Sequence, residues 1–512
     1  MNKKTLAIIL AALFLLFPIF TGCADNNGGG GGTWEGGGEI GDPNLMEKNW
    51  DGEVFVVLTW QDRSEGQAFN IVDLVTDDND DMSDPINKAV FERNEMIKSL
   101  FNAGIERIDE DLNSYGNIIA NTLANGGDYN AYMMKIQGAI TRALSGDLLD
   151  MNSEVGYINL MEDWWDTTTI ESLAVNNRSY FALGDINTVD DDATWCVLFN
   201  KSIQKKYKNL PNFYDKVRDG EWTIENMKRW AQSAITSDEG DGTTDKWKLE
   251  SKYQYGLYFQ DECATVLLQA SGVTPFTKNQ KNSRLESNLG SIAMQNAVDK
   301  IRENIMLDNS VNRAWALNIN DIKNYSGGDI WQNIARGGFM ANKSLFFMCH
   351  CGTINLIRQM DSDFGILPIP KVDESQKEYG NTVQYGNATC YAIPYNTPDA
   401  DFSGFMLEAL GYFSSREYST TDSLKAAYYE TTLKRKATRD DDSWDMLDLV
   451  FDNRIFDISC AKNTAGINNK IVESTKSENK AWATVVASYG GQIEAEIAED
   501  VLRLWNGNGN LE

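Results

Sequence analysis

Residues 331–351 read W-Q-N-I-A-R-G-G-F-M-A-N-K-S-L-F-F-M-C-H-C, residues 356–370 read L-I-R-Q-M-D-S-D-F-G-I-L-P-I-P, and residues 386–394 read G-N-A-T-C-Y-A-I-P. The spacing predicts a helix from about Ile330 that stops at Gly337-Gly338, because glycine takes the left-handed backbone that ends helices. Residues 344–349 form a nearly continuous apolar run, the pattern of a strand covered on both faces. Residues 364–369 form a second such run. Pro368 and Pro370 lack the N–H that a central strand must donate, so this run cannot extend further. A second helix separates the two runs. Strand, helix, strand in that order predicts a right-handed crossover in a parallel sheet. A further strand follows, closed by Pro394. The expected fold class is α/β.

The same stretch resembles a known family, the extracellular solute-binding proteins of sugar-type ABC importers. In that family an aromatic-containing helix, a small-residue turn, a strand, F-G-x-x-P-x-P and a loop into x-A-I-P recur in this order. Words on either side are similar to the family's as well. D-P-I-N-K-A-V-F-E-R-N-E-M-I at 84–97 resembles its first helix. Ser83 or Asp84 would cap that helix, with Pro85 in the first position. G-E-W-T at 220–223 resembles a G-x-W-T word that precedes a helix; Thr223 would be the cap, and Trp222 reads as a packing anchor rather than a ligand contact. Trp195 to Phe199, followed by Asn200-Lys201, resembles an aromatic, apolar strand ending Tyr-Asn-Lys, with Phe199 in the tyrosine's place. Asn130 stands where the family has an aspartate.

The resemblance implies a two-lobed, periplasmic-binding-protein-like (type II) fold with an interlobe cleft and a helical C-terminal tail. The first lobe is expected at 50–190 plus 326–400, and the second at 191–325 plus 401–512. Strands are expected at 53–60, 101–108, 129–136, 195–199 and 255–259. Apolar residues at helical spacing mark the tail at 402–413, 422–434, 441–451 and 480–505, which would pack on the second lobe and brace the hinge.

The N-terminus reads as targeting, not fold. Lys3 and Lys4 precede an apolar core at 6–20, which is short of the ~20 apolar residues of a membrane-spanning helix. It ends in Phe20-Thr21-Gly22-Cys23. This resembles a bacterial lipoprotein cleavage box, with Phe20 where leucine is usual, and implies removal of 1–22 and lipidation of Cys23. Residues 23–49 contain five consecutive glycines, Gly28 to Gly32, and read as a flexible tether. No strand precedes these glycines and no Lys-Ser or Lys-Thr follows them, so they are not a phosphate loop.

The chain has 512 residues, with 75 acidic and 46 basic side chains and a formal charge of −29. Such a balance argues against nucleic acid or anionic lipid as partners. Six cysteines besides Cys23 are scattered in apolar runs and read as buried thiols. An oxidising compartment would permit a disulfide, with Cys349 or Cys351 to Cys390 as the pair to check. The single histidine, His350, lies between Cys349 and Cys351. Alternation along a strand points it away from them, so no metal site is expected. Catalytic patterns were sought: H-E-x-x-H, G-x-S-x-G and G-x-x-x-x-G-K-[ST] are absent from the sequence. With 75 acids, no carboxylate pair stands out as a glycosidase pair.

What remains is abundant aromatic surface: 14 Trp, 20 Tyr and 21 Phe. Sugar rings stack on such side chains, which are rigid and cost little ordering entropy. The expected function is a lipid-anchored, extracellular substrate-binding component of an ABC importer, capturing a sugar or oligosaccharide for membrane permease subunits. It would be a monomer and not an enzyme, without cofactor or metal. Trp60 and Asp62 at the tip of the first strand are candidate contacts, because ligands sit beyond the carboxyl ends of strands in open α/β sheets. Trp195 and Trp331 are candidate aromatic platforms. Tyr385 and Asn387 precede Ala392-Ile393-Pro394, where the family often touches ligand. The alternatives are a surface polysaccharide-active enzyme that shares the anchor, and a ligand-sensing protein of the same fold.

Overall fold

The computed structural model describes residues 43–45, 48–61, 73–76, 80–235, 253–279, 284–307, 315–322, 325–416, 423–437 and 440–507. The signal segment, Cys23, the glycine tether up to Gly41, and Asp62 lie outside them. Among the described residues, no helix is long and apolar enough to cross a membrane.

The first half builds three strand–helix units. Strand β1 is Val54–Gln61, helix α1 Pro85–Phe101, β2 Gly104–Asp111, α2 Leu112–Asn125, β3 Ala131–Lys135 and α3 Ile136–Leu144. Helix α1 starts where its chemistry requires. Asp84 Oδ1 accepts from the N–H of Ile86 (2.8 Å) and Asn87 (3.4 Å), and Pro85 needs no donor in the first turn. Its buried face carries Ile86, Ala89, Val90, Ile97 and Phe101. Arg93 on the same helix is fully buried, and its guanidinium donates to the carbonyls of Asp73, Leu74 and Ile186 and to Ser414 Oγ.

The later strands are β4 (Trp195–Asn200), β5 (Tyr255–Phe259), the short pair β6 (Phe276–Lys278) and β7 (Leu285–Ser287), β8 (Ala316–Asn318), β9 (Ser344–His350), β10 (Phe364–Leu367) and β11 (Thr389–Ala392). They divide into two main sheets. The first has the order β11-β3-β1-β2, with β11 antiparallel to β3 and the others parallel. The second has the order β10-β4-β9-β5-β8. In it β9, β5 and β8 run parallel, and β4 runs antiparallel between β10 and β9.

This topology corrects the expected boundaries. Residues 344–367 belong to the second sheet, so within 326–400 only the region of β11 joins the first. The reason is burial: all seven residues of β9 are buried, and β4 and β5 cover both of its edges. The β9–helix–β10 unit is also not a crossover between neighbours, because β4 lies between its two strands. Nor do Gly337 and Gly338 cap a helix. The π-helical Trp331–Arg336 runs directly into Gly337–Met340, and Asn342, at φ 60°, takes the left-handed position instead. A Cβ on Gly338 would lie 2.8 Å from the Tyr258 ring, so this glycine is required by a close approach.

The tail is helical as expected, but it serves both lobes. Helix α4 (Ala400–Ser415) packs on α1 and β1 of the first, and α5 (Asp441–Asp452) packs on β10 of the second. Helix α6 (Ile458–Lys462) packs on α3. Helix α7 (Ile467–Lys476) packs on Cys263–Ala270, and α8 (Trp482–Asn506) touches both α7 and α3. The assignment of all of 401–512 to the second lobe is therefore replaced by a tail that alternates. Its last turn is held by backbone: Tyr180 Oη donates to Leu504 O (2.8 Å) and Arg178 Nε to Trp505 O (3.1 Å).

The six described cysteines are free and buried. Cys390 lies on β11 in the first sheet, whereas Cys349 sits opposite Cys196 across the β4–β9 ladder in the second. The pairing of Cys390 with Cys349 or Cys351 is not formed. Trp222 is an anchor: fully buried, it stacks on Trp230 (centroids 6.0 Å, 5° between planes) and donates to Pro368 O at 2.8 Å.

Candidate ligand-binding cleft

A cleft of about 530 Å³ opens where the carboxyl ends of strands from both sheets meet. That size suits a small-molecule ligand. From the first sheet comes Gln137, in the first turn of α3 just after β3. From the second come Gln260, Asp261 and Glu262, directly after β5, and Asn320, just after β8. Trp195, the first residue of antiparallel β4, joins them at the same end. The loop 383–386 before β11 forms another wall, and Asn463, Asn468 and Asn469 from the tail complete it.

The lining is dominated by amides. Gln137, Gln260, Gln269, Gln384, Asn320, Asn463, Asn468 and Asn469 each bring both a donor and an acceptor. Two polar atoms at this wall, Thr265 Oγ1 and Asn468 Oδ1, are buried without a hydrogen-bond partner among the described residues. The aromatic component is Trp195 and Tyr385. Tyr385 is locked: its hydroxyl donates to Gln269 Oε1 (2.6 Å) and accepts from the Asp457 N–H (3.2 Å).

Two carboxyls sit side by side in the lining. Asp261 Oδ1 accepts from Lys476 Nζ (2.8 Å) and Asn318 Nδ2 (2.5 Å). Glu262 Oε1 accepts from Gln384 Nε2 (2.8 Å) and from Gln260 Nε2. Burial pushes the Glu262 carboxyl above the usual glutamate range; the two amide donors oppose this and Asp261 adds to it.

The expected contact residues divide. Trp195 and Tyr385 line the cleft. Trp195 is 1% exposed, its ring 4.2 Å from that of His350, whose imidazole burial holds down at a pKa of about 3. Asn387 stands beside the lining residue Gln384, donating to its Oε1, and accepts from Lys135 Nζ at 3.2 Å. That same ammonium lies 4.7 Å from the centre of the Trp60 ring, so Trp60 belongs to the neighbouring end of the first sheet and does not line the cleft. Trp331 is not there either; it stacks on Phe347 (6.4 Å, 29°) in the second core. Asp62 lies outside the described residues.

The sequence reading missed Gln260, Asp261 and Glu262. The rule that singled out Trp60 and Asp62, the tip of a strand, applies equally to Q-D-E after Tyr255–Phe259 and would have found them. Asn463 and Asn468 carried no such signal, since their place depends on how the tail packs.

A second cavity, of about 190 Å³, lies where the chain passes between the sheets. Arg454 sits there among Asp166 (2.7 Å), Asp191 (3.1 Å) and Asp190 (3.6 Å), and Lys425 pairs with Asp185 (3.2 Å). Burial raises Asp190 and Asp191, against the attraction of Arg454. Burial likewise raises Asp185 to about 6, against Lys425.

No family model and no curated protein matches the chain. Solved structures do. One is an ABC substrate-binding protein from Listeria monocytogenes in complex with cycloalternan, at TM-score 0.52 and 11% identity, covering 88% of this chain and 100% of that one. A family 1 extracellular solute-binding protein from Bifidobacterium longum subsp. infantis matches at TM-score 0.51 and 11% identity, covering 86% and 99%. An extracellular solute-binding protein from Staphylococcus aureus in complex with maltose matches at TM-score 0.52 and 12% identity, covering 86% and 98%. The chain has the two-lobed α/β fold of these proteins.

Proposed function

We propose that this chain is the substrate-binding component of an ABC importer, capturing a sugar or oligosaccharide outside the cell and presenting it to membrane permease subunits. The observation that carries the proposal is the amide-lined cleft at the carboxyl ends of both sheets, with Trp195 and Tyr385 in its wall. A polyhydroxylated ring offers donors and acceptors around its edge and apolar C–H faces above and below, which matches amides interleaved with aromatics. The neighbours of the same fold include proteins in complex with cycloalternan and with maltose. Lobes on either side of a cleft suit closure by hinge motion, which buries the ligand.

In this reading the protein binds and does no chemistry, and ATP is hydrolysed by its partners. Cys23 carries the lipid and the glycine-rich stretch is the leash, so the binder works at the outer face of the membrane. Trp195 and Tyr385 are the contacts retained from the sequence, with Asn387 supporting Gln384, joined by Gln269, Glu262 and Asn468.

The test is tryptophan fluorescence with a parallel thermal melt against mono- and oligosaccharides. A ligand at 100 times its Kd adds about 2.7 kcal/mol to the stability of the bound form. The expected result is a saturable shift for one glycan class, with the glycan recovered intact. No response to any sugar would remove carbohydrate from the reading, and release of new reducing ends would make the protein an enzyme.

A further inference from the structure

The cleft has a charge imbalance that bears on which sugars it accepts. Among its described lining residues the charged side chains are Asp261 and Glu262, and there is no lysine or arginine. Asp261 is compensated by Lys476, which it shares with Asp321 (2.8 Å each). Glu262 has no ion pair among the described residues. Its Oε1 is held by Gln384 and Gln260, a fixed orientation, while Oε2 accepts from none of the described residues. The residue is partly exposed at the cleft wall. An oriented carboxylate at the cleft wall therefore keeps one oxygen to which no described residue donates.

Such an acceptor discriminates. A hydroxyl or ammonium donating to Oε2 forms a charge-assisted hydrogen bond, roughly twice as strong as a neutral one. A carboxylate or sulfate in the same place meets an acceptor that has nothing to donate, with no lysine or arginine among the described lining residues to offset its lost hydration. Specificity of this kind comes from the repulsive element as much as from the attractive one.

We propose that Glu262 is a specificity-determining residue that makes the cleft accept neutral and amino sugars and reject uronic and sulfated ones. The inference rests on the sugar-capture reading and narrows its ligand class.

The experiment is calorimetric titration of the full chain with neutral gluco-, manno-, galacto- and xylo-configured trisaccharides. Each is paired with its uronate and its 2-amino counterpart, and titrated against wild type and Glu262→Gln. Glutamine keeps the shape and removes the charge; a thermal melt confirms that the variant is folded. For the configuration that binds, the uronate should bind wild type roughly 100-fold more weakly than the neutral sugar, and the amino sugar at least as tightly. In Glu262→Gln the penalty on the uronate should shrink at least tenfold, and any advantage of the amine should vanish. A uronate that binds wild type as tightly as its neutral counterpart overturns the inference and leaves sugar capture standing. So does a penalty that Glu262→Gln leaves unchanged. Binding of none of the sugars by wild type overturns both.

Discussion

Among the described residues Arg454 pairs with three aspartates, of which Asp190 is buried and Asp166 and Asp191 partly so, and Arg454→Met isolates its contribution. Methionine keeps most of the side chain's length and removes the charge. The ion pairs to Asp166, Asp190 and Asp191 vanish together. Removing one partner from a buried ion pair costs about 3–5 kcal/mol, because the remaining charge stays buried and uncompensated. The deficit must depend on pH, and its sign follows from the aspartates. Burial already raises Asp190 and Asp191 above the ordinary carboxyl range, with Arg454 pulling them down. Without Arg454 they rise further. A carboxyl whose folded-state pKa exceeds its unfolded value weakens the fold while it is ionised. That penalty is complete above the folded pKa and fades as pH falls through it towards the unfolded value near ~4. Arg454→Met is therefore expected to lose about 3–5 kcal/mol at pH 8 and to regain at least half of this by pH 5. Urea unfolding followed by tryptophan fluorescence at both pH values measures it. An equal deficit at pH 8 and pH 5 would refute the reasoning, because lost packing of the guanidinium, unlike lost charge, does not titrate.

The other expectations can be checked with the same purified chain. Trp195→Ala should weaken ligand binding more than tenfold, whereas Trp331→Ala should leave affinity unchanged in calorimetry, since Trp331 packs on Phe347 away from the cleft. Trp222→Ala removes a fully buried ring and its hydrogen bond to Pro368 O; a loss of about 3–5 kcal/mol in urea unfolding is expected, as for other large buried aromatics. Gly338→Ala drives a methyl against the Tyr258 ring and should cost about 1–3 kcal/mol in a thermal melt. A ligand that donates to Glu262 needs it ionised, so affinity should fall as pH drops through the raised Glu262 pKa, above the ordinary glutamate value, and this dependence should disappear in Glu262→Gln.

Element identity was legible in the sequence where local chemistry decides it. The Asp84–Pro85 start of α1, the Thr223 cap, and the two-sided burial of 344–349 follow from capping and from hydrophobic pattern. Partnership between strands was not. Nothing local in Ser344–His350 says that β4 will insert beside it, or that Thr389–Ala392 will cross to the other sheet, because those choices are made by residues more than a hundred positions away. The same holds for the cleft. Strand-tip residues are visible in principle, and Trp195 and Tyr385 were found, but aromatic content alone could not separate Trp195 from Trp331. Both are tryptophans on apolar elements. Only the side of the sheet on which each falls tells them apart.

The antiparallel pairing of β11 with β3 has a consequence for how the chain is made. Met134 and Cys390 stand opposite each other in that ladder, yet they are 256 residues apart in the chain. Synthesis proceeds at about 5–20 residues per second, so the open edge of β3 waits on the order of 10–50 s for its partner strand. Throughout that interval a buried, apolar strand presents unpaired N–H and C=O groups to any neighbouring chain. The nascent protein must be shielded until almost four-fifths of it has been translated, and its yield in a cell should respond to translation speed and chaperone supply more than the stability of the finished molecule would suggest.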